Sequence, residues 1–150
     1  MNSSNNYVMG DMLCMALSQY GIKEIVGSKH NAEVLKYFSE IGHSWVKNDE
    51  LAWCSAFINW CAKMTGYEYT GKLNARSWLK IGETLDKPEI GCIAVLWRNG
   101  KNSPYGHVGL FIAEDGDNIC ILGGNQNNQV KIARYPKNRV LSYRKLNKIA

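Results

Sequence analysis

The sequence predicts an α+β domain in which N-terminal helices pack on a five-stranded antiparallel sheet. Three observations predict it. Apolar residues recur at helical spacing as far as Gly82, they alternate with period two from Pro88 onward, and the later segments are joined by short connections that suit antiparallel pairing. The 150 residues are 45% hydrophobic and 21% charged, ordinary values for one globular unit. Residues 7–150 therefore read as a single domain behind a disordered polar tail, 1–6, of sequence MNSSNN.

The first helix is expected over 7–20, ended by Gly21. The second lies in AEVLKYFSEIG, where Val34, Leu35, Phe38 and Ile41 fall on one face, with Asn31 as N-cap and Gly42 as stop. The third carries a stripe of Trp53, Ala56, Phe57, Trp60, Cys61 and Met64, and it ends at Gly66. Asn48 or Asp49 are candidate caps for it, with a later start at Trp53 as the alternative. A short helix in ARSWLKIG closes at Gly82. Strands follow at 90–97, 106–113, 118–124, 130–135 and 139–146, separated by the turn-rich stretches RNGKNSPY, EDGD, NQNNQ and PKN.

Composition narrows the function. The first apolar stretch lacks a preceding basic segment and is broken by Gly10 and Asp11. It reads as a helix start rather than a signal peptide, so synthesis in the cytoplasm is expected. No apolar run approaches the ~18 residues of a membrane span. Five cysteines cannot form a complete disulfide framework, and Cys14, Cys61, Cys92 and Cys120 sit in apolar periodic segments as small hydrophobes. His30, His43 and His107 are scattered without metal-ligand spacing; His30 and His43 read as surface residues, and no metal is expected. The net charge of +5 favours an anionic partner such as a bacterial wall polymer, and no nucleic-acid motif accompanies it.

Cys54 stands outside the apolar stripe of its helix, near the helix start. A helix N-terminus and a neighbouring imidazole are the two local devices that turn a thiol into a nucleophilic thiolate. His107, in YGHVGLFIA, supplies the second if its strand packs on that helix. Gly106 and Gly109 flank it and are expected to leave room beside the ring. A third group should orient the imidazole. If the five residues 114–118 connect the two strands, Ala113 faces Ile119, Phe111 faces Ile121, Gly109 faces Gly123 and His107 faces Asn125. A connection one residue shorter puts Gln126 opposite His107 instead.

DELAWCSAFINW, ARSWLKIG, GHVGLFI and LGGNQNNQV, in this order, resemble the CHAP and NlpC-like cysteine hydrolases. The likeness is greatest to a small subgroup often encoded by phages and prophages, in which KEIVGSKHN and YPKNRVLSYR also have counterparts. It covers about Tyr20 to Arg144. The resemblance implies a papain-like fold and cleavage of amide bonds in bacterial peptidoglycan. By position it implies Cys54 as nucleophile, His107 as general base and acid, and Asn125 as the third polar residue. Arg76 and Ser77 match a position beside the substrate cleft, where a binding role and a solvated helix face are both open. Trp53, Trp78 and Trp97 are groove or core residues, and Gln126 is a further binding candidate. Where relatives have Gly-Asp, this chain has Gly91-Cys92. A Cys92 thiol in the cleft would be able to pair with Cys54.

Together these readings describe a monomeric peptidoglycan hydrolase, amidase or endopeptidase, that needs no cofactor. It would act at the wall, in the periplasm or outside the cell, after release by a holin, a phage tail or a secretion apparatus, as a lysin or an antibacterial toxin. A small inhibitor protein is a candidate partner in the second case. The rival readings are a related acyltransferase or isopeptidase and an inactive wall-binding module.

Overall fold

A computed structural model describes residues 8–25, 30–47 and 52–149. The polar tail and the candidate caps Asn48 and Asp49 lie outside the described residues. Three α-helices come first: α1 (Gly10–Leu17), α2 (Ala32–Ser39) and α3 (Cys54–Thr65). A 3-10 helix (Ala75–Lys80) leads into six strands, β1 (Glu83–Leu85), β2 (Ile93–Trp97), β3 (Gly106–Asp115), β4 (Asn118–Gln126), β5 (Gln129–Pro136) and β6 (Val140–Lys145). The α+β expectation holds, with one strand more than the sequence suggested.

Local chemistry explains most boundaries. Asn31 caps α2, its side chain accepting from the Glu33 N–H at 2.8 Å. Gly66, at φ 83°, ends α3 in the left-handed region. α1 is shorter than its apolar pattern because the Gln19 and Tyr20 N–H groups tighten onto Ala16 and Leu17. The ARSWLKIG stretch is a 3-10 rather than an α-helix. The additional strand, β1, has only three residues, two of them exposed, too few to show a period.

All strand pairs are antiparallel, in the order β1-β6-β2-β3-β4-β5. The link from β5 to β6 sets the shape of this sheet. Pro136 is level with Asp115 of β3, whereas Val140 is level with His107 at the other end of the same strand. On a flat sheet they would stand four strand spacings apart, ~19 Å, and about eight residues apart lengthwise, ~26 Å. The chain between them reaches ~14 Å at most. The sheet must therefore be coiled into a partial barrel. Arg139 on the link confirms the closure: its guanidinium lies 5.4 Å from the Trp97 ring of β2 and 5.6 Å from the Tyr135 ring of β5.

α3 packs against β3, β4, α1 and α2. It is not amphipathic as built: every residue from Cys54 to Ala62 is buried, and only the end of the expected stripe, Met64, is exposed. Two of the buried residues are polar and fully satisfied. Ser55 Oγ donates to the Lys72 carbonyl at 2.6 Å, and Asn59 Nδ2 donates to the same carbonyl at 2.9 Å. Asn59 Oδ1 accepts from the Gly71 N–H at 2.8 Å. This pins the 70–72 loop to the helix without leaving a buried polar group unpaired.

The end of β4 meets the start of α3 at Gly124. A Cβ there would lie 2.7 Å from the Trp53 ring and 2.9 Å from Phe57 Cβ. Both neighbours are fully buried and cannot yield without moving the helix. Gly124→Ala should cost about 1–3 kcal/mol of stability as an overpacked site. Urea unfolding checks this, and a midpoint unchanged from wild type would show that α3 and β4 are less tightly joined.

Candidate active site

Cys54 is the first residue of α3, and Trp53, the N-cap, makes no side-chain capping hydrogen bond. The opening N–H groups of the helix are thus free of an internal competitor. The Ser55 N–H points at the Cys54 sulfur, and so does the Val108 N–H of β3. The second contact follows from strand pairing. The β3–β4 ladder stops at Leu110 and Leu122, so β3 continues past it with amides not engaged by β4.

His107 lies three residues beyond that end, buried and hydrogen-bonded to the Cys54 thiol. Burial alone would push this thiol up. His107, through its charge and its hydrogen bond, and the two backbone N–H groups together hold the thiol below its ordinary value.

The side chain that meets the imidazole is Gln126, the alternative from the hairpin count, and not Asn125. Gln126 Oε1 lies 2.8 Å from His107 Nε2. Two bulges explain the exchange. In β3, pairing runs one residue out of the expected register near the turn and returns to it through a bulge between Phe111 and Ala113. Phe111 then faces Ile121 as expected, but Ala113 faces Cys120. In β4 a second irregularity falls between Gly123, opposite Lys131, and Gln126, opposite Gln129. Gly124 and Asn125 oppose the single residue Val130, with Asn125 in the left-handed region at φ 57°. One extra residue inverts the alternation, so Gln126 takes the face that the count assigns to Asn125.

Gln126 is held at both ends. Its Nε2 donates to the Ile121 carbonyl at 3.0 Å and to the Lys131 carbonyl. Those two acceptors fix which end is the amide nitrogen, so Oε1 must face the imidazole. His107 Nε2 therefore carries a proton and donates it, which leaves Nδ1 for Cys54. Tyr135 of β5 completes the group, its hydroxyl donating to Gln126 Oε1 at 3.1 Å and its ring centred 5.1 Å from that of His107. Burial pushes the Tyr135 phenol up to about 12, so it remains a donor at neutral pH. Sequence reasoning missed Tyr135. The alternation that aligns Phe111 with Ile121, and Ile121 with Ala133, already puts Tyr135 on the His107 face. Only the coil of the sheet brings the rings together.

The other expected residues are placed differently. Trp53 is fully buried, its indole donating to Glu24 at 3.0 Å, and Trp78 is fully buried with its indole on Ser55 Oγ at 2.9 Å. Both are core residues and do not face a substrate. Arg76 spends its guanidinium on the carbonyls of Tyr105, Lys101 and Gly100, clamping the β2–β3 loop. Ser77 Oγ donates to Thr70 Oγ1 at 3.0 Å. The glycines do not open room for a substrate: a Cβ on Gly109 would meet Ile121 at 2.4 Å, and one on Gly106 the Leu96 carbonyl at 2.7 Å. Close packing, not free space, explains them.

Of the remaining cysteines, Cys61 and Cys92 are buried, Cys120 is half-buried, and Cys14 is exposed, against expectation. The Cys92 carbonyl bonds the Phe111 N–H, three residues along β3 from the Val108 contact of Cys54 and thus ~10 Å away. That separation rules out a Cys54–Cys92 disulfide in this fold. His43 is not a plain surface residue either, since its Nε2 bonds the Gly71 carbonyl at 2.7 Å. Among the described residues, no three His, Cys, Asp or Glu side chains gather as a metal-binding group, and no helix is long and apolar enough to cross a membrane.

A small cleft of about 120 Å³ opens beside the sulfur, lined by Cys54, Ala52, Asn74, Arg98, Tyr105 and neighbours. Cys54 alkylation, followed by site-resolved mass spectrometry, should show a pH midpoint below that of an ordinary thiol. A lowered value keeps the thiolate populated to lower pH, so reactivity is lost only as pH falls through that midpoint. His107→Ala should move the midpoint up. Burial pushes Cys92 to about 11 and Cys61 well above the ordinary range, so neither should label at neutral pH.

No curated protein matches the chain. A family comparison does match, over residues 46–125, to the CHAP domain. The matched segment is just over half of the chain; it contains Cys54 and His107 and stops one residue short of Gln126. The helix-borne cysteine, the strand-borne histidine and this match place the chain in the CHAP family, whose members are in general cysteine hydrolases of peptidoglycan.

Proposed function

We propose that this protein cleaves amide bonds of bacterial peptidoglycan with a Cys54–His107–Gln126 triad. The observation that supports it best is the doubly anchored Gln126 amide, because it sets the imidazole tautomer that a thiolate needs. Cys54 Sγ attacks the carbonyl carbon of a wall amide, and the oxyanion forms beside the free N–H groups at the start of α3. The imidazolium gives its Nδ1 proton to the leaving amine, whose C–N bond breaks to yield a thioester. Water, deprotonated by the same nitrogen, then releases the acid and restores the thiol. Throughout, Nε2–H stays on Gln126. Acting at the wall, the protein would serve as a phage-type lysin or an antibacterial toxin, and its net charge of +5 suits an anionic wall.

Cys54→Ala should abolish hydrolysis of purified peptidoglycan while shifting stability by less than the ~2–5 kcal/mol of a large core truncation. Cys61→Ala should do the reverse. Activity that survives in Cys54→Ala and is lost in a folded Cys61→Ala would overturn the assignment. Mass spectrometry of the released muropeptides separates amidase from endopeptidase.

Gln126→Ala strands a buried imidazole N–H, a loss of ~1–3 kcal/mol, so the turnover rate should fall roughly 10- to 100-fold. Asn125→Gly should retain most activity, since glycine adopts the positive φ that the bulge needs. If kinetics rank these two variants the other way, Asn125 is the orienting residue.

A further inference from the structure

Next to the Cys54 cleft lies a larger groove of about 500 Å³, and Asn74 lines both. Lys72, Arg76 and Lys80 are its charged members, Leu79 and Ile81 its apolar ones, and among the described residues no acidic side chain lines it. Arg76 is already committed to the β2–β3 loop. Lys72 and Lys80 are exposed, and neither forms an ion pair among the described residues. The groove is also stiff. Ser55, the residue after the nucleophile, holds the Lys72 carbonyl with its hydroxyl and accepts the Trp78 indole N–H on the same oxygen. Thr70 and Ser77 join the two sides by a 3.0 Å hydroxyl bond. The groove is basic, partly apolar, fixed to the residue beside the nucleophile and shares Asn74 with its cleft, features that suit an extended, negatively charged chain.

We propose that this groove binds a free carboxylate of the wall peptide, a few residues from the amide at Cys54, through Lys72 and Lys80. The proposal rests on the hydrolase reading and adds the feature of the substrate that is selected. A peptide lying with its scissile carbonyl at Cys54 continues past Asn74, where a carboxylate meets two cations that pair with no acid among the described residues. Replacing that carboxylate by a carboxamide keeps size and hydrogen-bonding capacity but removes the charge, so discrimination between the two isolates the electrostatic contribution.

The experiment titrates Cys54→Ala protein, which cannot turn substrate over, with a fluorescent wall peptide bearing a free side carboxylate and with its carboxamide analogue. The acid should bind about tenfold more tightly, the scale of two partly exposed charge contacts, and the preference should shrink as ionic strength rises above ~0.15 M. Adding Lys72→Ala and Lys80→Ala should erase the preference while thermal unfolding stays cooperative. Equal affinity for both peptides would overturn the proposal yet leave hydrolysis by the intact protein in place. Full preference retained in the lysine variant would overturn it as well. If neither peptide binds and the intact protein leaves peptidoglycan uncut, the hydrolase reading fails and this proposal falls with it.

Discussion

The arrangement at Cys54 depends on one side-chain amide. Gln126 has a carbonyl oxygen turned to His107 and an amino group turned to the carbonyls of Ile121 and Lys131. Neither end can be exchanged for the other without setting oxygen against oxygen in a buried site. A glutamate here would favour the imidazolium by charge but would aim its second oxygen at those same carbonyls. Only an amide satisfies both sides. The histidine therefore has one tautomer, and the free nitrogen it presents faces the sulfur. An orienting group of this kind contributes geometry rather than charge, which leaves the thiolate's stabilisation to the imidazole and to backbone N–H groups.

Those N–H groups are available because two regular elements end early. α3 begins at Cys54 with a tryptophan in the cap position, forgoing the ~1 kcal/mol that a capping serine or aspartate typically supplies. A capping side chain would compete for the Ser55 N–H that now points to sulfur. β4 likewise leaves β3 after Leu122, and the Val108 amide that a longer ladder would engage is turned to Cys54. Burial of the surrounding core offsets the loss. Trp53 and Phe57 are each fully buried, a contribution of several kcal/mol together. The site is thus a local departure from regular hydrogen bonding, tolerated because its neighbours are packed on every side.

Much of this was legible in the sequence, and the parts that were not share a cause. Cys54 and His107 were readable because each depends on local features, a position near a helix start and a position on an alternating strand. The α+β order was readable for the same reason. Gln126 was legible only as the alternative to Asn125, since its face depends on a bulge whose extra residue carries no period-two signature; the asparagine in NQNN that permits the positive φ marks a bulge no better than a turn. The glycines misled because sequence cannot distinguish a space left empty from a space filled by Ile121 or Trp53. Trp53 and Trp78 stayed open between groove and core for a similar reason: an indole with a buried hydrogen-bond partner reads the same as one facing a ligand. β1 and the pairing of β6 with β2 are long-range, and no local pattern encodes them.

The coil of the sheet joins these separate facts. His107, Gln126 and Tyr135 come from three successive strands, and in a flat sheet the Tyr135 ring would lie far along its strand from His107. Coiling brings the rings to 5.1 Å and lets one phenol hydroxyl reach the amide oxygen. The same coil places Arg139 between Trp97 and Tyr135, where its guanidinium also donates to the Trp97 carbonyl and ties the two ends of the sheet together. A change that loosened this tie would act first on Tyr135, then on Gln126, and only through them on the imidazole. Stability of the barrel closure and orientation of the histidine are therefore linked, although Arg139 stands on a connection outside every strand.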